Sequence, residues 1–225
     1  MTILKTIVCA GATHHEHLLD SYTKQLMKAD IPFHLQSVSA MPNGPNSMTM
    51  RRKIEFVRQM ATLFVGHYDR IIISDAFDVQ FCGTLPRDLP FLLISAEANL
   101  YPEPNLAPLF TSEGPWKYVN AGLMIGSPGH LFAWCAACEK HGELGTLDQQ
   151  WLNRRHSEGF LDLVPIDSTT QLFYTVTRDE HQTLEMRGDS PYNTIHHTHP
   201  CFFHFSGRTP VAPFRAMLRG DTSSL

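Results

Sequence analysis

Ser74-Asp75-Ala76-Phe77-Asp78 sets two carboxylates three residues apart, directly after the apolar run Arg70-Ile-Ile-Ile-Ser74. Carboxylates at that spacing, where the chain leaves a buried strand, can converge on one divalent cation. Hard oxygen donors of this kind suit Mg²⁺ or Mn²⁺. Aspartate is also a common turn and helix-capping residue, so the pair alone leaves both readings open. The D-x-x-D spacing separates it from phosphatases of the haloacid dehalogenase type, which carry D-x-D with the first Asp as nucleophile. There is no G-x-x-x-x-G-K-[ST] phosphate loop, and Gly11-Ala-Thr13 is not a dinucleotide-binding glycine turn.

Three further motifs look like metal or redox chemistry. His14-His15-Glu16-His17 and His196-His197-Thr198-His199 concentrate seven of the chain's ionisable donors, but neither has H-E-x-x-H spacing or an accompanying cysteine pair. Loop histidines are the better reading. Cys135-x-x-Cys138 lies in Leu131-Phe-Ala-Trp-Cys-Ala-Ala-Cys138, a helix-like apolar stretch without a second pair, and reads as core packing. With five cysteines, an odd number in mostly apolar surroundings, reduced buried thiols are expected.

These residues need elements to position them. The chain has 225 residues, with 43% hydrophobic and 18% charged. That charged share lies below the roughly 25% of average soluble proteins, so a filled core is expected and disorder is not. Eighteen Lys+Arg against 22 Asp+Glu give a formal charge of −4, which argues against a protein that coats polyanions. No apolar run approaches the roughly 18 residues needed to span a membrane. The N-terminal apolar run is interrupted by Lys5 and reads as a first buried strand over Ile3–Ala10 rather than a signal peptide. A helix is expected over Glu16–Ala29, a strand over Pro32–Ser39, and, after a turn-rich loop, a helix carrying Ile54, Val57, Ala61, Phe64 and Val65. Arg70–Asp75 follows as a fully buried parallel strand. Further strands are expected at Phe91–Glu97, Val119–Gly126 (with a glycine-containing turn), Leu161–Ile166, Gln171–Val176 and Cys201–Phe205, and helices at Leu131–Lys140 and Leu147–His156. This β-α-β-α-β order predicts an α/β domain: a mostly parallel central sheet with helices on both faces, and ligands at the carboxyl ends of the strands.

Five segments, in order, resemble the glycosyltransferase domain of the procollagen lysyl hydroxylase group, which has a GT-A fold. They are Arg70-Ile-Ile-Ile-Ser-Asp-Ala-Phe-Asp-Val79, Ile94-Ser-Ala-Glu-Ala-Asn-Leu-Tyr-Pro102, Val119-Asn-Ala-Gly-Leu-Met-Ile-Gly126, Leu147-Asp-Gln-Gln150 and Phe203-His-Phe-Ser-Gly207. The resemblance implies a single GT-A (Rossmann-like) domain over 1–225, with a nucleotide-binding half at 1–80, a donor-sugar and acceptor half at 81–207 and a tail at 208–225. It implies a Mn²⁺-dependent transferase (Mg²⁺ as substitute) that moves glucose or galactose from a UDP-sugar to a hydroxyl acceptor, with retention. Asp75, Asp78 and His204 match the metal ligands. Asp148 and Gln149 match an Asp-Gln pair facing donor sugar and acceptor. Ala10, Gly11, Ala12 and Thr13 fall where the first strand meets uracil and ribose. Lys53, in the Arg51-Arg52-Lys53 helix entrance, matches a phosphate-side cation, with the helix N-terminus adding N–H donors. Ala76, Asn120, Gly122 and Gly207 fall on the donor-binding side, and Glu97 is either structural or a donor or acceptor contact.

The group's lysyl hydroxylases work in the secretory pathway, whereas this chain reads as cytoplasmic, in a bacterial or virus-infected cell. The expected acceptor is a glycan, a protein, or a hydroxymethylated base in DNA. The last would use a basic stripe of Arg208, Arg215 and Arg219 with Arg154 and Arg155. Two other classes stand beside it: a metal-dependent phosphohydrolase or nucleotidyltransferase, and a non-catalytic His-rich metal-binding module.

Overall fold

The computed structural model describes residues 4–12, 16–37, 48–76, 78–111, 113–160, 162–176, 183–188, 190–206 and 214, with 12, 16–20 and 37 as backbone. Strands β1 (Thr6–Ala12), β2 (Phe33–Ser37), β3 (Arg70–Asp75), β5 (Leu92–Glu97) and β6 (Tyr118–Gly126) form a five-stranded sheet in the order β2-β1-β3-β6-β5. β4 (Val79–Phe81), β7 (Phe173–Val176) and β10 (Phe202–Phe205) form a smaller sheet in the order β4-β10-β7, and β8 (Leu184–Arg187) pairs antiparallel with β9 (Ser190–Asn193). The helices are α1 (Glu16–Lys28), α2 (Met50–Phe64), α3 (Pro128–Lys140) and α4 (Asp148–Ser157), with a 3-10 turn at Pro104–Leu109.

Alternation along the central strands explains the layers. Ile7, Cys9, Ile71 and Ile73 face a core shared with α2, α3 and α4. Val8, Ala10 and Ile72 face the opposite way, toward Tyr22 and Leu26 of α1 and toward Phe81, Phe173 and Phe202 of the small sheet. A strand buried on both faces has no polar side to display, which is why β3 reads as an unbroken isoleucine run. It stays apolar until Ser74 and Asp75, so its first carboxylate emerges at the carboxyl end. α1 is clamped to β4 by Gln25 and Ser21, both bonded to the Gln80 side chain at 2.9 and 3.1 Å. The small sheet is thereby fixed beneath the large one, and with it β10.

The expected α/β architecture is present, with one change in strand direction. β1, β2 and β3 are mutually parallel, but β6 runs antiparallel to both β3 and β5, so the central sheet is mixed. β6 is also continuous through Gly122, without the expected turn. Residues 162–166 make turns and a single bridge from Ile166 to Ile94 instead of a strand. Three short strands, β4, β8 and β9, carry no periodic signal long enough to be anticipated.

Cys135 and Cys138 are fully buried in the α3 core as free thiols. Burial pushes the Cys135 thiol up to about 12 and raises that of Cys138 as well, so neither offers a thiolate for redox chemistry.

Candidate functional site

The carboxyl end of β3 delivers Asp75, and the turn into β4 delivers Asp78. His204 arrives from β10, whose register sets it opposite Val79 on one side and Thr175 on the other. The Phe205 N–H donates to the Asp78 carbonyl at 2.8 Å, which ties the acidic turn to the histidine strand. One donor atom from each of Asp75, Asp78 and His204 falls within 4.8 Å of the others. His204 Nε2 lies 3.3 Å from Asp78 Oδ2 and 3.7 Å from Asp75 Oδ2. It is buried, yet it makes no hydrogen bond. A desolvated ring nitrogen aimed between two carboxylates forms an ion pair when protonated and can serve as a metal ligand when neutral, and the N,O,O set would suit Mn²⁺. The residues present therefore fit a divalent cation.

A cation from the protein stands beside the cluster. Lys53 is buried on α2, with its Nζ 3.8 Å from Asp148 Oδ2 and 2.5 Å from the Ala121 carbonyl of β6. The loop before α4 brings these residues together. Met50 and Arg51 donate their N–H groups to the Thr146 and Leu144 carbonyls, and Asp148 donates its own to Met48. The first turns of α2 and α4 thus cap one another. The Met50 and Arg51 N–H groups are spent on these carbonyls, so they are not available to a phosphate.

Charge crowding shifts the titrations. Partial burial pushes the Asp75 carboxyl up to about 6. Lys53 and His204 pull it down, and Asp78 and Asp148 add to the rise. Its side chain keeps 47% of its surface in solvent, which tempers the effect. Burial also raises Asp148, against Lys53 and the Gln149 N–H bonded to its Oδ1 at 2.8 Å. At His204 burial opposes the imidazolium, but Asp78, Asp75 and Glu97 outweigh it and hold the ring up to about 9. In the metal-free protein that imidazolium supplies positive charge between the two carboxylates.

A metal ligand must be neutral, so cation binding has to release the His204 proton. Between about pH 6.5 and 9 the Mn²⁺ affinity is expected to rise by about tenfold per pH unit and then level off. Calorimetric titrations in buffers of different ionisation enthalpy should show close to one proton released near pH 7.5. An affinity flat across that window would rule out His204 as a ligand.

The other expected site residues divide. Gly11 pairs in register with Asp75, so the end of β1 borders the acidic turn. Ala10 and Ala76 turn their side chains into the core, and only their backbones are available to a ligand. Ala12 closes β1, while Thr13 and Gly207 lie outside the described residues, as do His14, His15, Arg208, Arg215 and Arg219. Asn120 and Gly122 lie on β6 against His204, and both are buried. Asn120 is fully buried, and a Cβ on Gly122 would stand 2.7 Å from His204 Nδ1 and 2.8 Å from its Nε2. Gln149 donates its side-chain amide to Glu97 Oε1 and, at 3.4 Å, to the Tyr101 carbonyl. It therefore reaches the cluster through Glu97, which is itself buried.

Thr175 is a site neighbour that sequence reasoning missed. It is fully buried beside His204 with a hydroxyl that has no partner, and a threonine in a short strand carries no signal of its own. The second histidine cluster does not converge. His197 bonds Tyr192, His199 bonds the Pro191 carbonyl, and His196 packs on Trp116. Arg154 is held by Glu103 at 2.6 and 2.8 Å and Arg155 by Glu143 and Glu158, so these two arginines add little net positive field.

No protein-family model matches the chain, and no curated protein matches it.

Proposed function

We propose that the chain is a Mn²⁺-dependent glycosyltransferase that moves a hexose from a UDP-sugar to a hydroxyl acceptor. The single observation that carries the metal half is the Asp75–Asp78–His204 convergence, with a buried Nε2 that no hydrogen bond uses. The donor half rests on the order and spacing of the five segments that resemble the lysyl hydroxylase glycosyltransferases. A bound Mn²⁺ supplies charge neutralisation for a departing diphosphate.

The chain's own residues take the remaining roles. Asp75, Asp78 and His204 hold the cation. Lys53 offsets the carboxylates around it and keeps Asp148 oriented, although its burial makes it a charge-balancing group more than a direct phosphate hand. Asp148 faces the cluster from the first turn of α4 with most of its side chain out of water. A carboxylate so placed stabilises positive charge developing at an anomeric carbon. Gln149, steadied by Glu97, is positioned to orient hydroxyl groups. Gly11, near the end of β1 and in register with Asp75, carries no side chain, which favours a nucleoside approaching the backbone at the carboxyl ends of the strands.

The test is a thermal melt with UDP, Mn²⁺, both, and neither. Ligand at about one hundred times its Kd adds about 2.7 kcal/mol. For a chain of this length that raises Tm by about 5–11 °C. The expected result is a large shift that needs UDP and Mn²⁺ together. A shift with Mn²⁺ but no further gain from UDP would keep the metal centre and discard the UDP-sugar donor. No shift in any condition would discard both.

A further inference from the structure

The buried side chains behind the metal cluster form a connected line, and its bonding can be read without assuming a protonation state. The Gly122 backbone N–H, which can only donate, lies 2.9 Å from Asn120 Oδ1. That contact settles which way the Asn120 amide faces: its oxygen toward Gly122 and His204, its nitrogen toward Glu97 Oε2 at 3.4 Å. The Ser95 hydroxyl, 2.9 Å from the Asn120 carbonyl and 3.2 Å from Oδ1, braces the same side chain. His204 Nδ1 stands 2.8 Å from that oxygen. An amide oxygen cannot donate, so Nδ1 must carry the proton. In the neutral ring the lone pair then falls on Nε2, the atom that faces Asp75 and Asp78.

We infer that Asn120, with its amide orientation locked by Gly122 and Glu97, is the positioning residue that fixes the His204 tautomer and so makes Nε2 a metal donor. The inference rests on the metal centre of the proposed function and adds a role that the cluster alone does not specify. It also moves Asn120 from a donor-sugar contact to a residue acting through His204. Asn120 has no exposed surface, and its oxygen and nitrogen are committed to Gly122, Ser95, His204 and Glu97. Glu97 serves as its anchor: its two oxygens accept from Asn120 and Gln149, which links the tautomer lock to the residue proposed to face the hydroxyl groups. Outer partners of this kind set ring orientation and ligand basicity, and their loss costs about 10–100-fold in metal affinity.

The experiment has two arms. In the first, the metal-free wild-type protein is labelled with ¹⁵N-histidine and studied above the titration midpoint of His204, with the His204→Gln variant assigning its resonance among the 13 histidines. The expected spectrum shows a protonated Nδ1 and a pyridine-like Nε2. An Nε2–H tautomer overturns the inference, whether or not metal binds. In the second arm, Mn²⁺ binding is followed by electron paramagnetic resonance in Asn120→Ala and in the double variant Asn120→Asp with Glu97→Gln. Asn120→Ala is expected to lose about 10–100-fold in affinity, and the double variant, which keeps an oxygen acceptor for Nδ1–H and reverses the donor and acceptor at the buried contact with residue 97, to recover to within a few-fold. Equal Mn²⁺ affinity in folded Asn120→Ala and wild type overturns the inference. If Asn120→Ala does not fold, the first arm decides. Failure of the wild type to bind Mn²⁺ would remove the metal centre itself, while the spectrum would still judge the tautomer lock.

Discussion

Asp78→Asn is expected to lower Mn²⁺ affinity by about 100-fold or more and to remove Mn²⁺-supported transferase activity. The substitution keeps shape and one oxygen but deletes the charge nearest His204, whose Nε2 is 3.3 Å away. Removing one partner of a fully buried charge pair costs about 3–5 kcal/mol; Asp78 keeps 35% of its side chain in solvent, so the low end of about 3 kcal/mol applies, a factor near 100. The same variant has a second signature in the metal-free protein. The folded-state pKa of His204 lies above its ordinary 6.5, at about 9, and Asp78 is the main cause of the rise. A raised histidine pKa contributes stability that is fully present below about pH 6.5 and is lost as pH climbs through about 9. The wild-type Tm without metal should therefore fall across that window, and saturating Mn²⁺ should flatten it, because the ring is then neutral in the bound and the unfolded states alike. In Asp78→Asn the fall should flatten even without metal, and the same Mn²⁺ concentration should add little stability. If Asp78→Asn binds Mn²⁺ as tightly as wild type and keeps the wild-type slope of Tm with pH, the cation is held elsewhere.

Much of this centre was legible because strand physics and ligand chemistry leave marks in the same few residues. Ile71-Ile72-Ile73 announces a strand buried on both faces, and the next polar residues must then emerge at its end, which is where Asp75 and Asp78 lie. His204 stood out for a related reason: a lone imidazole among Phe202, Phe203 and Phe205 has to find a partner once buried. α1 and α3 begin or end within a few residues of their expected bounds because apolar spacing and an N-cap such as Ser127 are local signals. The reversal of β6 was not legible. Val119–Gly126 is buried along its whole length, and such a run looks alike in either direction; the difference lies only in which carbonyls of β3 and β5 it meets. The three-residue β4 is too short for any period to show, and its position depends on Gln25 and Ser21 of α1. Lys53 shows the same limit in charge. Among Arg51, Arg52 and Lys53 the sequence displays one basic entrance, but only the fold turns the lysine inward to Ala121 and Asp148. The tautomer lock is the most hidden feature, since it arises from contacts between residues 84 positions apart.

Gly122→Ala joins the fold and the centre in one measurable change. Gly122 sits mid-strand in β6, where nothing in the backbone demands a glycine, so its reason must be space. A Cβ there would meet three atoms of the His204 ring, including Nδ1 at 2.7 Å and Nε2 at 2.8 Å. The ring has little freedom to withdraw. Its Nδ1 is tied to Asn120, and its strand is paired on both sides, to β4 and to β7, with Phe203 and Phe205 packed into the core behind. Relief has to come from a shift of β6 against β10, or from rotation of the imidazole out of line with Asp75 and Asp78. Overpacking of this kind costs about 1–3 kcal/mol, which for a chain of this size lowers Tm by about 2–12 °C. Either form of relief disturbs the ligand, so Mn²⁺ affinity should fall by more than tenfold in protein that is still folded at the assay temperature. Gly129→Ala is the matched control. It adds the same methyl group in the first turn of α3, where a Cβ meets nothing within 4 Å, and helix propensity favours alanine by up to about 1 kcal/mol. The control should leave Tm unchanged or slightly raised and bind Mn²⁺ normally. Should Gly122→Ala melt and bind Mn²⁺ like that control, the close approach of β6 to His204 is not what holds the ligand in place, and the packing account of the centre fails with it.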